Sequence, residues 1–401
     1  PAQDATVTVL HGVPGLPAPV EVFANGSSLF TFDYGEQRGP LELAPGNYAL
    51  EVRLNGATIL NLNASLAADT DYSVIAHLTD AGTPTLAAFV NSTSPLALPS
   101  SRLYVRHTAD APAVDVLLEQ NGSTVATIPN LANGQEATAD VAPGVYGVRL
   151  NVAGTANTAF GPVEVVLEDG LGYGVFAVGD VAAPSFTLLT QRVPLAARVT
   201  VVHGIPGLPA PVQVTANGNT LFTFDFREAV GPLVVAPGTY QFDVVLNGAS
   251  VLNRTDTVAR GDDVLIVAHL DGSASPVLSA FVNDVSDVAG SGARVTVRHL
   301  AAAPAVDVVV QNRFSGATSV LPNLSNGQSI TTKLPPGDYD VSLRAAGTTT
   351  TVFGPVAFRP GTNLFFQFLA VGNFTGGSFG VEVLQRDLTP PIAAQIVTTL
   401  G

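Results

Sequence analysis

Apolar and polar positions alternate with a period of two along much of this chain. Tyr48, Leu50, Val52 and Leu54 share one parity, against Ala49, Glu51 and Arg53 on the other. Tyr146, Val148, Leu150 and Val152 repeat the pattern, as do Tyr339, Val341 and Leu343. Successive side chains of an extended strand point to opposite faces, so these runs predict half-buried β-strands. Asn55-Gly56 and Asn247-Gly248 follow two such runs. A type I′ turn needs φ > 0 at both central residues, which Asn and Gly tolerate, so both dipeptides predict tight hairpins. Thirty-nine Gly and 29 Pro punctuate the chain at short intervals, and no segment shows a sustained 3.6-residue apolar period with caps. The expectation is an all-β chain of sandwiches with about seven short strands each.

The pattern recurs at a fixed interval. His11, His107, His203 and His299 lie 96 residues apart, and His77 and His269 lie 192 apart. Each of the four closes a β-branched opening strand: VTVLH from Val7, LYVRH from Leu103, VTVVH from Val199 and VTVRH from Val295. A Pro-rich turn and a second strand follow: PAPVEV from Pro17, APAVDV from Ala111, PAPVQV from Pro209 and APAVDV from Ala303. Later in each repeat comes a Pro-Gly-x-Tyr corner, at Tyr48, Tyr146, Tyr240 and Tyr339. Repeats one and three share HGVPGLPAPV and HGIPGLPAPV, whereas repeats two and four share APAVDV and the FGPV at Phe160 and Phe353. The expected organisation is four tandem immunoglobulin-like β-sandwich domains, 1–96, 97–192, 193–288 and 289–388, arranged as two duplicated pairs, with a tail strand over 389–401.

A first strand ending in His, an APAVDV second strand and a Pro-Gly-x-Tyr corner together resemble the domain-of-unknown-function family numbered 4397, from about Ala5 to Leu388. That resemblance implies secreted, tandem β-sandwich modules of prokaryotic surface proteins, and it implies no reaction. Glu21 and Gln213 replace the Asp of APAVDV in repeats one and three, so no role is carried over to that position.

Composition narrows the compartment and the partners. Charged residues make up only 12 % of the 401, against roughly 25 % in ordinary soluble proteins. Hydrophobic residues reach 46 %, yet no run approaches the ~18 apolar residues of a membrane-spanning helix, so no transmembrane segment is expected. Cys, Met and Trp are all absent, which excludes disulfides, thiol nucleophiles and Cys-based zinc sites. The chain starts at Pro1 rather than Met. The expectation is a processed, extracellular protein whose leader has been removed, the alternative being an edited sequence. A net charge of −15 with 17 Lys and Arg repels phosphate backbones and anionic lipid, so nucleic-acid binding is not expected.

The candidate chemistry is thin. His11, His107, His203 and His299 share the parity of the core valines before them, which assigns them to the fold. The expected role is to satisfy backbone groups of the adjacent Pro-rich turn. A metal ligand or general base would need partners, and the nearby acidic position is Glu, Asp, Gln and Asp in the four copies. The corner tyrosines resemble the tyrosine corner of immunoglobulin-like folds, whose phenol bonds to backbone. Asp69 with Asp71, Asp262 with Asp263, and Glu168 with Asp169 offer oxygen ligands for Ca²⁺ but lack the spacing of a dedicated loop; solvated turn carboxylates are the plainer reading. Seven N-x-Ser/Thr sequons, at Asn25, Asn63, Asn91, Asn121, Asn253, Asn323 and Asn373, are candidate glycosylation acceptors, although Asn, Gly, Ser and Thr are also simply turn residues. No cofactor, metal site or catalytic constellation is expected, and so no enzyme.

The clearest functional clue is the segment Ala394-Gln395-Ile396-Val397-Thr398-Thr399-Leu400. It lines up with Ala197–His203, the first strand of repeat three. A lone β-branched strand has unpaired backbone groups and seeks a sheet. It either folds back on its own chain or adds to the first repeat of another copy, near residues 5–11, by β-strand addition. The second option joins copies head to tail in an open-ended fibre. The expected function is therefore an extracellular or cell-surface structural protein, a self-assembling filament subunit whose partner is itself and possible neighbours are other surface components. The alternative is a cell-surface adhesin or glycan-binding module that does not polymerise; the absence of Trp counts against sugar stacking.

Overall fold

The computed structural model describes residues 4–16, 19–208, 211–286, 288 and 292–388. The alternating runs form strands, and these build eight four-stranded sheets paired into four sandwiches. Two compact blocks divide after Ala196, each with two sandwiches. The strands of the four sandwiches occupy Ala5–Asn91, Ser101–Pro194, Ala197–Val282 and Ala293–Asp387.

The first sandwich sets the plan. Its strands are β1 (Ala5–His11), β2 (Val20–Ala24), β3 (Ser27–Phe32), β4 (Gln37–Leu43), β5 (Gly46–Leu54), β6 (Ala57–Leu66), β7 (Asp71–Leu78) and β8 (Pro84–Asn91). One sheet runs β4-β1-β7-β8 and the other β3-β2-β5-β6. β1 is antiparallel to β4 and parallel to β7, with Thr6 opposite Asp71 and His11 opposite Ala76. A parallel pair needs a crossover, and here the crossover carries the whole second sheet. The other three sandwiches keep the same strand order.

Each sandwich therefore has eight strands, where about seven are expected. The eighth is short and polar. β4 reads QRGPLEL, a sheet-edge strand, where Pro is tolerated, and its alternation is too weak to declare it. β1 sits between β4 and β7 with both sides paired. Addition of a further strand alongside residues 5–11 is thus excluded in this arrangement, because no edge is open there. The expected tail strand, Ala394–Leu400, lies outside the described residues.

The alternating parities meet between the sheets. Val7, Val9, Val22, Phe32, Val52 and Val74 are buried together in the first sandwich. Asn55-Gly56 (φ 49° and 81°) closes β5 onto β6, and Asn25-Gly26 (φ 49° and 78°) closes β2 onto β3. Leu16 and Leu208, which follow the Pro-Gly turns, pack on the core of their own sandwich. The phenols of Tyr48, Tyr146 and Tyr240 donate to the carbonyls of Ala44, Ala142 and Ala236, at 2.9, 2.9 and 2.8 Å. Tyr146 and Tyr339 are buried, and Tyr339 lies against Phe358 with ring centroids 5.8 Å apart.

The strand equivalent to β7 breaks the alternation in every sandwich. DYSVIAHL (Asp71–Leu78), LGYGVFAV (Leu171–Val178) and DVLIVAHL (Asp263–Leu270) are buried at every position, as is LFFQFLAV (Leu364–Val371) except at its first residue. One face of each looks into its own core, and the other is covered as well.

The corner gives a graded test. Tyr146→Phe keeps the ring and loses one hydrogen bond, so it is expected to lower stability by about 0.5–1.5 kcal/mol. Tyr146→Ala also empties a core site and is expected to cost about 3–5 kcal/mol. Urea unfolding of the two variants checks the order, and equal effects would remove the corner from the account.

Candidate functional site

The six histidines are all buried. His11 Nδ1 accepts a hydrogen bond from the Val13 N–H at 3.3 Å, and His203 Nδ1 accepts from the Ile205 N–H at 3.3 Å. His107 and His299 use the other nitrogen: Nε2 donates to the carbonyls of Pro112 and Pro304, at 2.9 and 3.0 Å. In the odd repeats the ring meets the N–H two residues on; in the even repeats it reaches the carbonyl of the proline five residues on, and Nδ1 is buried without a partner. His77 and His269 donate from Nδ1 to the carbonyls of Leu78 and Leu270, at 2.9 and 3.0 Å. Burial is the main cause that pushes all six imidazoles below their ordinary pKa, so they are neutral near pH 7.

The acidic candidates are absorbed into the fold. Asp262 accepts from the Ala259 N–H at 2.7 Å and Asp169 from the Ser100 N–H at 2.9 Å, while Glu168 pairs with Arg192 at 2.9 Å. Asp71 is buried and accepts from the Asn91 amide at 2.5 Å. Among the described residues no group of three His, Asp or Glu converges as a metal site. A void of about 20 Å³ lies in the second core, lined by residues such as Val116, Leu150 and Val175; apart from Arg106 and His107 its lining is apolar.

The constellation that the structure does assemble lies between the two sandwiches of each block. In the first block, Leu10 and Ile75 of one sandwich meet Phe176 and Val178 of the other, all four fully buried. Beside them sits Arg106, 0 % exposed. Its Nε donates to Glu136 at 2.6 Å, Nη1 to Ser73 Oγ at 3.0 Å and Nη2 to Asn91 Oδ1 at 2.7 Å. The Ser73 hydroxyl donates onward to Gln191 Oε1 at 2.5 Å. The rings of Phe89 and Phe176 flank the guanidinium carbon at 4.8 and 4.9 Å. Two glycines make room: a Cβ on Gly172 would meet the Tyr104 ring at 2.8 Å, and one on Gly174 would meet Arg106 Nη1 at 3.3 Å.

The second block keeps the cation and changes its partners. Arg298 donates from Nη1 to Gln367 Oε1 at 2.6 Å and from Nη2 to Asn283 Oδ1 at 2.7 Å, with Phe281 at 4.9 Å. Asn283 donates to Asp263 at 2.6 Å, and Asp263 also pairs with Arg386 across the junction. The residue opposite the arginine on the neighbouring strand is Glu136 in one block and Ser329 in the other. Burial pushes Arg298 down to about 10. Burial also lowers Arg106, while the adjacent Glu136 carboxylate raises it.

Sequence reasoning missed this junction. Its signal was the residue before each repeated His: Leu10 and Val202 in the odd copies, Arg106 and Arg298 in the even ones. That position points away from its own core, and a buried arginine there means that something covers it. The apolar runs at 74–76, 175–178, 264–268 and 368–371, which do not alternate, carried the same signal.

The sequons divide. Asn25, Asn63, Asn121, Asn253 and Asn323 are exposed, and Asn373 is half-buried. Asn25 and Asn121 are the first residues of Asn-Gly hairpins, with φ 49° and 51°. Asn91 is withdrawn as an acceptor. It is 1 % exposed, and its amide bonds to Asp71 and to Arg106, so no glycan can reach it in the folded chain.

The family described as Domain of unknown function (DUF4397) matches residues 5–117 and 197–309. No curated protein matches the chain. Among solved structures it is similar to the Bacillus anthracis TIE protein, at 12 % identity and a TM-score of 0.16, over 86 % of this chain and 64 % of that one. It is similar to the pilus adhesin SpaC from Lactobacillus rhamnosus GG, at 12 % and 0.16, over 96 % and 51 %. A putative cell adhesion protein from Bacteroides eggerthii DSM 20697 follows at 11 % and 0.13, over 74 % and 98 %. The chain spans less than two thirds of the length of the first two.

Two outcomes follow from the buried groups. Arg106→Ala strands Ser73 and Asn91 at a covered junction and is expected to lower stability by about 3–5 kcal/mol, as measured by urea unfolding. The histidines set the pH response. In the unfolded chain they titrate near 6.5, and in the folded chain below it, so the unfolded state binds more protons beneath 6.5. Stability is expected to be full above pH 6.5 and to fall as the pH drops through the folded values. A flat denaturation midpoint between pH 7.5 and 5 would contradict the burial.

Proposed function

Because the chain belongs to the family described as Domain of unknown function (DUF4397), a description that carries no reaction, we propose a role that rests on architecture and not on chemistry. The protein is an extracellular, cell-surface structural protein without enzymatic activity. It is a subunit of a filament whose copies join head to tail through the segment 394–400.

One observation carries this reading: the segment repeats the β-branched first-strand pattern, with Ile396 and Thr398 at the positions of Val199 and Val201 and Leu400 where His203 stands. Those positions are buried at 1, 1 and 2 % exposure in the third sandwich. The described first strands are central, so the segment would enter another copy by exchange between strands four and seven and not by lying along an edge. Such an exchange pairs backbone on both sides of the strand. Burying Ile396 and Leu400 contributes about 1.5–3 kcal/mol each before ordering costs. The contact is heterologous, which gives an open chain of copies and not a closed ring. The histidines and most carboxylates named above serve turns and strand ends, which favours a scaffold over a catalyst.

Deletion of 392–401 is expected to leave a folded protein that no longer assembles. Ile396→Asp is expected to do the same, since a charge enters an apolar site without a partner. Electron microscopy with light scattering reads the result. Fibres from the truncated chain, or a full-length chain that stays monomeric, would end the filament reading.

A further inference from the structure

The two junctions differ in a matched way. In the first block Ser73 faces Gln191, hydroxyl to amide at 2.5 Å. At the same register in the second block stand Leu265 and Leu384, which pack together. A polar pair has become an apolar pair, with both members changed. The amide that serves the arginine has moved as well: Gln191 lies opposite Gly174, whereas Leu384 lies opposite Gln367, so the glutamine has crossed to the neighbouring strand.

We infer that this residue pair is a key that fixes which sandwich accepts which, so that the first pairs with the second and the third with the fourth, within a copy or between copies. Part of the junction is common to both blocks: an arginine before the repeated His, an Asn bonded to an Asp, and a Phe beside the guanidinium. That shared part alone would let either odd sandwich accept either even one. The key forbids it. A third sandwich on a second one sets Leu265 against the Gln191 amide and takes away the hydroxyl that accepts from Arg106. A first sandwich on a fourth sets the Ser73 hydroxyl against Leu384. The first mismatch leaves the Gln191 amide and an Arg106 N–H without their partner; the second takes from Ser73 its Gln191 acceptor and leaves it only Asn91 of its own sandwich. Lost partners at a buried site are the repulsive element that specificity needs. In a protein carrying four similar sandwiches on one chain, and meeting other copies of itself, that distinction prevents cross-block exchange. The inference does not rest on the proposed filament.

The experiment uses the full chain. Ser73→Leu and Gln191→Leu are each expected to lower the thermal midpoint, followed by circular dichroism, by roughly 3–10 °C. The double variant is expected to recover a measurable part of the summed loss, because it rebuilds the apolar pair of the second block, although Arg106 Nη1 still lacks the acceptor that Gln367 gives Arg298. Strictly additive losses overturn the key. If the first-block variants do not fold, the reciprocal set Leu265→Ser, Leu384→Gln and both together gives the same comparison. Exchange is read separately. After denaturation and concentrated refolding, the natural chain returns to the size distribution that it had before. The S73L/Q191L chain, whose blocks now carry one key, is expected to add a population of about twice the mass of its starting species, which light scattering detects. If both chains return to their starting distributions, the pair does not govern partner choice.

Discussion

A guanidinium held between two sheets is the constraint on which each block depends. Arg106 has no access to water, and a buried cation is tolerated only when hydrogen bonds and opposite charge replace its hydration. Everything near it answers that need: a carboxylate on the neighbouring strand, a hydroxyl and an amide from the other sandwich, and aromatic faces on two sides. Two glycines stand where side chains would crowd it or the tyrosine beside it. The second block meets only part of that need, with Gln367, Asn283 and Phe281; no carboxylate stands opposite, Arg298 Nε has no partner, and burial pushes this guanidinium down to about 10. The cation is common to both blocks and its surroundings are not. Apolar packing supplies the area of each junction, and the arginine supplies the geometry, because its fork of donors fits one arrangement of acceptors.

Much of the fold was legible because it is local. Asn-Gly hairpins, Pro-Gly-x-Tyr corners and period-two strands are each decided within a few residues. The edge strand at Gln37–Leu43 was not, since an edge strand facing water needs no apolar rhythm. Strands such as Asp71–Leu78 were not read either: a strand covered on both faces loses the alternation, and this one also carries buried Asp71, Ser73 and His77. The parity argument placed His11 on the core side, and the ring is indeed buried among Val13 and Phe32. The partner of Arg106 was invisible for another reason. Which outer face meets which is a long-range fact, and no local pattern states it. Asn91 shows the opposite failure, a local motif whose meaning was cancelled by tertiary packing.

The histidines make a related point about repetition. Four copies at one interval were placed by duplication, and the two classes of turn then settled on opposite ring nitrogens. A residue required for a reaction would not tolerate that exchange of roles. A residue required to close a turn does, because a bond from either nitrogen holds the turn, even with Nδ1 of His107 and His299 left without a partner.

The parallel pairing of β1 with β7 has a kinetic side. The strand that leads each sandwich meets β4 within about forty residues, as Ala5 opposite Leu43 shows, but its parallel partner only after some sixty-five, as Thr6 opposite Asp71 makes plain. A chain that emerges from a channel with its N-terminus first therefore cannot close a sandwich early. Non-local pairing of this kind slows folding and leaves the leading strand extended while the rest arrives. The topology itself therefore keeps each sandwich open until its seventh strand has arrived.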